Sequence, residues 1–424
     1  TITLDNKLKV YLLSDPDFNI SAASLAVDVG SLENPDNRLG LAHFLEHMLF
    51  LGTEKYPDVD EYSSYLKTYG GYSNAYTASD HTNYQFQVLP DGFEGALDRF
   101  SQFFISPLFT EQYTSREVNA VNSEHQKNML NDNWRQFRIS SLFAREGHPE
   151  RKFGTGNLET LGDITRKELI DFYKQHYSAN RMGVALLSTH SLEEMETWCR
   201  EYFSAIKNYN LDRNKYDSDF LEKKETFRLI QIDPVKDVRN LNLLFSLPST
   251  RYLYKSKPGR QFGFILGYEG KGSLLSYLKQ KGWALTLSAG AGSETSYYGN
   301  ASVRIGLTEE GQKNYKSIVK ATMDYIALMK SDLNDIINQR LKNRLEWQGY
   351  LKWLLTHRML HNHAKREYYK NKPFLNLILK IYFIPYNTLK FFKYVFDQHK
   401  YEMISKEIEL LNDIKNKQNT KEIE

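Results

Sequence analysis

The same order of elements is written twice along these 424 residues. Two strand-like runs, LKVYLL (8–13) and SAASLAVDVG (21–30), precede a helix from an N-cap at Asn37 to a stop at Gly52. A second helix opens at Pro57 and ends at Gly70–Gly71. The runs SNAYT (73–77) and TNYQFQVL (82–89) follow, then helices over 93–105, 111–133 and 164–176 and the strand MGVALLS (182–188). The order then restarts with FRLIQI (227–232) and NLNLLFSL (240–247), helices over 259–268 and 272–282, the runs LTLSAGAG and YYGNASVRIGL, and a helix over 309–330. A single hydrophobic core stops growing near ~250–300 residues, so a repeated order at this length predicts two tandem α+β domains. The charged, core-poor stretch 208–225 lies between them. It places a first domain over 1–210, a linker over 211–225 and a second domain over 226–330.

Composition narrows what such a chain does. With 55 basic and 52 acidic side chains the net charge is +3, which lacks the clustered basic excess of a nucleic-acid protein. The lone cysteine, Cys199, excludes a disulfide framework and a four-thiolate zinc site. No run approaches the ~18–20 apolar residues that span a bilayer, so a soluble protein of the cytoplasm or a bacterial periplasm is expected. The opening TITLDNKLKV has neither a methionine nor an apolar leader, as expected of a mature product or a fragment.

The chemistry concentrates in HFLEH, inside the first helix. Residues four apart lie on one helical face, so His43 and His47 can reach one ion, with Glu46 beside them. A hydrolytic zinc site needs three protein ligands and a water, whose pKa the metal lowers towards ~7 for a neighbouring carboxylate to deprotonate. This H-x-x-E-H order is the inverse of the zincin H-E-x-x-H. The third ligand must come from another element. The run REVNAVNSEH offers Glu117 and Glu124, two turns apart on one face, with Glu124 as ligand and Glu117 one shell out to orient a histidine or the water. Two solvated surface carboxylates are the plain alternative. His125 points about 100° away from Glu124 and ranks below it.

HFLEHMLFLGT, GGYSNAYTASDHTNYQF, LDRFSQFFISPLF and REVNAVNSEHQKN together resemble the insulinase/pitrilysin family of zinc peptidases. The likeness continues through KFGTGN, PGRQFGFILGYEGKGSLLSYLKQKGW and LTEEG, covering residues 1–330. It implies one zinc per chain on His43, His47 and Glu124, Glu46 as general base and Glu117 as supporting acid. It also implies two tandem α/β-roll domains, enclosing part of a chamber for short unstructured peptides. An edge strand at SNAYT would take the substrate backbone at Asn74 and Ala75. The glycines of LGYEGKG and LSAGAG, among them Gly267, Gly270 and Gly290, would hold the substrate's N-terminus; plain turns account for them equally well.

Three further features are weighed beside that likeness. The glycine loop GTG (154–156) lacks the strand–helix context of a phosphate site, so nucleotide binding is not expected. His357, His361 and His363 have no acid near them and read as a chance surface cluster. After about Lys330 the second domain becomes atypical: the only later alanine is Ala364, the only later valine Val395, and Lys, Asn, Ile, Tyr and Phe crowd the rest. An all-helical cap and out-of-frame translation of AT-rich DNA are the two explanations. The family's C-terminal half, which supplies an Arg and a Tyr over the zinc, has no counterpart here. Three functions follow: a zinc endopeptidase or its N-terminal half, a non-catalytic peptide-binding fragment, and a two-domain chain active as a dimer. Peptides, a separate C-terminal half or a second copy are the expected partners.

Overall fold

The computed structural model describes residues 1–218, 220–221, 228–292 and 295–340, the last eleven by backbone alone. They form two compact units, Thr1–Lys236 and Asp237 onward.

The first unit is built on a six-stranded sheet. Its strands are β1 (Ile2–Thr3), β2 (Lys9–Ser14), β3 (Ser21–Val27), β4 (Tyr72–Thr77), β5 (Thr82–Val88) and β6 (Met182–Ser188), in the order β1-β2-β6-β3-β5-β4. Strands β2 and β6 pair in parallel and the other neighbours are antiparallel. Period-two alternation makes the sheet. In β3 the residues Ser21, Ala23, Leu25 and Val27 are buried, and Leu25 lies between Tyr84 and Val184. Helices α1 (Leu41–Leu49), α2 (Glu61–Thr68), α3 (Phe93–Gln102), α4 (Glu111–Met129), α5 (Asp132–Ser141), α6 (Leu158–Leu161), α7 (Arg166–His176) and α8 (Leu192–Phe203) accompany it. One cluster of buried Leu, Val, Phe and Tyr side chains joins strands to helices.

Helix α1 is buried at Leu41, Ala42, Phe44, Leu45, Glu46, Met48 and Leu49, leaving only His43 and His47 half-open. A helix apolar on nearly every face is a core helix. Full burial of each Leu, Phe or Met is worth ~1.5–3 kcal/mol, so the core rather than the polar site fixes where α1 lies. It begins later than the Asn37 cap expected. Gly40, at φ 89°, is the N-cap, and the Asn34 side chain accepts the Ala42 N–H at 2.8 Å. The second helix starts at Glu61 rather than Pro57, after a turn in which Asp58 accepts the Asp60 N–H. The helix expected over 111–133 is two, because the Asn131 side chain accepts the Asn133 and Trp134 N–H groups and caps α5.

Residues 211–221, expected as a linker, are strapped to the first unit. Arg213 pairs with Asp28, Asn214 and Tyr216 donate to Glu33, Arg145 pairs with Asp217, and Leu221 bridges to Ala144. Polarity here encodes hydrogen-bond partners for the half-buried acids Asp28 and Glu33. Residues 228–232 form no strand; 228–231 are exposed, with no ladder to join among the described residues.

The second unit holds β7 (Asn240–Pro248), α9 (Pro258–Leu266), α10 (Leu274–Gln280), β8 (Ala284–Gly292), β9 (Tyr298–Leu307), α11 (Glu309–Lys313) and α12 (Tyr315–Arg340). Its antiparallel sheet runs β7-β9-β8 around its own core, including Phe262, Leu278, Val303, Ile305 and Ile318. Residues 341–424, with most of the atypical tail, lie outside the described residues.

Candidate metal centre

Helix α1 presents His43 and His47 one turn apart, and α4, packed against it, presents Glu117 and Glu124. The Nε2 atoms of the two histidines stand 3.2 Å apart. Glu124 Oε2 lies 3.6 Å from His43 Nε2 and 3.8 Å from His47 Nε2. Among the described residues these three form a group with ligand atoms all within 4.8 Å of one another.

The other ring nitrogens decide the tautomers. His43 Nδ1 sits 2.8 Å from the Thr155 carbonyl, which only accepts, so Nδ1 carries the proton and Nε2 the lone pair. His47 Nδ1 donates to Glu117 Oε1 at 2.9 Å, with the same result. Two nitrogen lone pairs thus face each other beside a carboxylate. Ligands ~2.0–2.1 Å from one tetrahedral zinc stand about 3.3 Å apart, so the donor set and its spacing fit that ion. Burial and the charge of His47 lower the pKa of His43, which favours a neutral ligand. His47 shifts the other way: burial opposes it, but the Glu117 hydrogen bond and the charges of Glu46, Glu117 and Glu124 raise it.

Glu46 is 6% exposed and accepts the Thr77 hydroxyl on Oε2 at 2.6 Å. Burial pushes its carboxyl up to about 7, against the pull of Thr77 and His47 and with a small push from Glu124. A carboxylate poised near neutrality is suited to taking a proton and returning it. Thr77 ends β4, an outer strand of the sheet, which packs against α1. Asn74 is exposed on that edge and Ala75 half-buried.

The remaining candidates fall elsewhere. Gly267 is the C-cap of α9, Gly270 lies beside the Tyr268 ring, and Gly290 sits in β8 with open space where a Cβ would project. His125 lies ring to ring with Phe153, centroids 4.9 Å apart, outside the ligand group. His357, His361 and His363 lie outside the described residues. Thr77 and the Thr155 carbonyl went unread in the sequence. Period two puts Thr77 on the Ala75 face of its strand, but nothing local points it at Glu46, and a backbone carbonyl leaves no mark in a sequence.

Among the described residues, no helix is long and apolar enough to cross a membrane. Two family models match the chain: "Insulinase (Peptidase family M16)" over residues 9–145 and "Peptidase M16 inactive domain" over 163–345. The second match carries the likeness past residue 330. The chain is 43% identical over 341 residues to the A-factor-processing enzyme of Saccharomyces cerevisiae and 43% over 338 residues to the insulin-degrading enzyme of Homo sapiens. Each alignment covers 78% of this chain and 33% of the relative, so the chain spans about a third of their length. The crystal structure of pitrilysin superposes with a TM-score of 0.73 at 31% identity, over 78% of this chain and 36% of that one.

Proposed function

Because the chain belongs to the insulinase family of peptidases, whose models match both of its units, we propose that its first unit is the catalytic domain of a zinc endopeptidase. The observation that carries this is the convergence of His43, His47 and Glu124, with both Nδ1 atoms tied to oxygen acceptors. Zinc bound there supplies the Lewis acidity that makes water a nucleophile near neutral pH and polarises a peptide carbonyl. His43, His47 and Glu124 hold it, and Glu117 fixes the ring of His47. Glu46 takes the proton of the attacking water and passes it to the departing amine. Thr77 holds Oε2 of Glu46, which leaves Oε1 for that transfer. The β4 edge at Asn74 and Ala75 receives the substrate backbone as an added strand, so sequence selectivity is low and extended, unstructured peptides are preferred. The second unit, with Gly267, Gly270 and Gly290, serves peptide binding rather than chemistry.

The part matched here is about a third of the relatives' length, and by itself that part is proposed to cleave slowly. Preorganised donors from another half are typically worth ~10²–10³ in rate each. The test is turnover of a quenched fluorescent peptide against protein concentration, with and without a separately expressed C-terminal half of a relative. Slow cleavage that rises with the added half or with self-association is expected. Zinc-loaded chain that never cleaves under any of these conditions would establish the non-catalytic peptide-binding reading instead.

A further inference from the structure

The stretch 152–158, whose glycines GTG (154–156) were discounted as a phosphate loop, touches both ligand-bearing helices. At α1, the Thr155 carbonyl holds His43 Nδ1 at 2.8 Å. Just before that helix, Gly40 and Gly156 are stacked backbone to backbone, at φ 89° and 83°. A Cβ on Gly40 would lie 2.3 Å from Gly156 Cα and 2.4 Å from its nitrogen, so no other residue fits while the loop keeps its seat. At α4, the Leu158 N–H donates to Asn122 Oδ1 at 3.2 Å, two residues before Glu124. The Phe153 ring packs on His125, one residue after it. Contacts thus flank Glu124 on its own helix and orient His43 on the other.

We infer that residues 153–158 are a positioning clasp, which registers α4 against α1 and selects the metal-binding tautomer of His43. The inference rests on reading His43, His47 and Glu124 as the zinc site. Ligands drawn from separate helices keep their geometry only if something sets the helices' spacing, and outer partners of a ligand histidine typically change metal affinity ~10–100-fold.

Zinc affinity by chelator competition, and the ¹⁵N spectrum of the imidazoles in metal-free protein, test it together. Gly40→Ala should lose about 10–100-fold in zinc affinity and the Nδ1–H signature of His43. Asn122→Ala, on a helix that alanine favours, should fold and lose affinity several-fold. Gly282→Ala carries similar strain (φ 71°) in open space in the second unit and should leave affinity unchanged. Should Gly40→Ala fail to fold, Asn122→Ala and the tautomer in the parent chain decide. Parent-like affinity in Asn122→Ala, or an Nε2–H tautomer of His43 in the metal-free parent, would overturn the clasp. A parent with the Nδ1–H tautomer that binds no zinc would uphold the clasp and overturn the metal reading.

Discussion

Three ionisable side chains share one turn of helix α1, and their surroundings give them different tasks. Oxygen acceptors at their Nδ1 atoms leave His43 and His47 with the Nε2 lone pair whenever the ring is neutral. Glu46, buried and held by Thr77, is poised near neutrality. Replacing Glu46 by Gln preserves shape and the bond from Thr77 but removes the proton acceptor. Hydrolysis should fall ~10²–10⁴-fold while zinc affinity stays within a few-fold of the parent. Peptide turnover paired with metal content checks this, and turnover within a few-fold of the parent would assign the base elsewhere. The residues proposed for these roles could be picked out in HFLEH because ligand and base would work through side chains at fixed helical spacing. Thr77 and Thr155 could not, because each reaches the site from a different element through tertiary packing.

At the scale of elements, periodicity located β2 to β9 but missed the two-residue β1 and expected a strand at 227–232 that residues 228–232 do not form, and local chemistry moved the boundaries. The Asn37 start of α1 failed because the left-handed Gly40 breaks the helix before Leu41, and Asn34 caps from outside the expected range. Helix α8 went unread, although Ser191 and Glu194 form a capping box at its start. Helix α7 carries a cost of its own. His176 is 8% exposed, its Nδ1 has no partner, and burial together with the charge of Arg181 holds its pKa at about 4. It is therefore neutral in the fold, whereas in the unfolded chain it gains a proton near its ordinary value of ~6.5. The unfolded state then binds more protons between those values, so this residue's contribution to stability is constant above ~6.5 and declines from there down to about 4. Melting temperatures from pH 7 to 5 should fall more steeply for the parent than for His176→Leu. Equal slopes would show that His176 is protonated in the fold.

For the whole molecule, the tandem α+β order was legible because strand and helix periods alternate over long distances. The strap over 211–221 was not, since its polar residues look like a solvated linker until Asp28 and Glu33 are placed beside them. The two units divide the work proposed above, with all zinc-site residues in the first. On that proposal, metal binding would be independent of the second unit, of self-association and of any added half, whereas rapid turnover would depend on them. Titration of zinc into the metal-free chain, followed by calorimetry, tests this most directly. One tight site per chain, abolished in His47→Ala, is the predicted result; no tight site in the parent, or an unaltered one in His47→Ala, would contradict it.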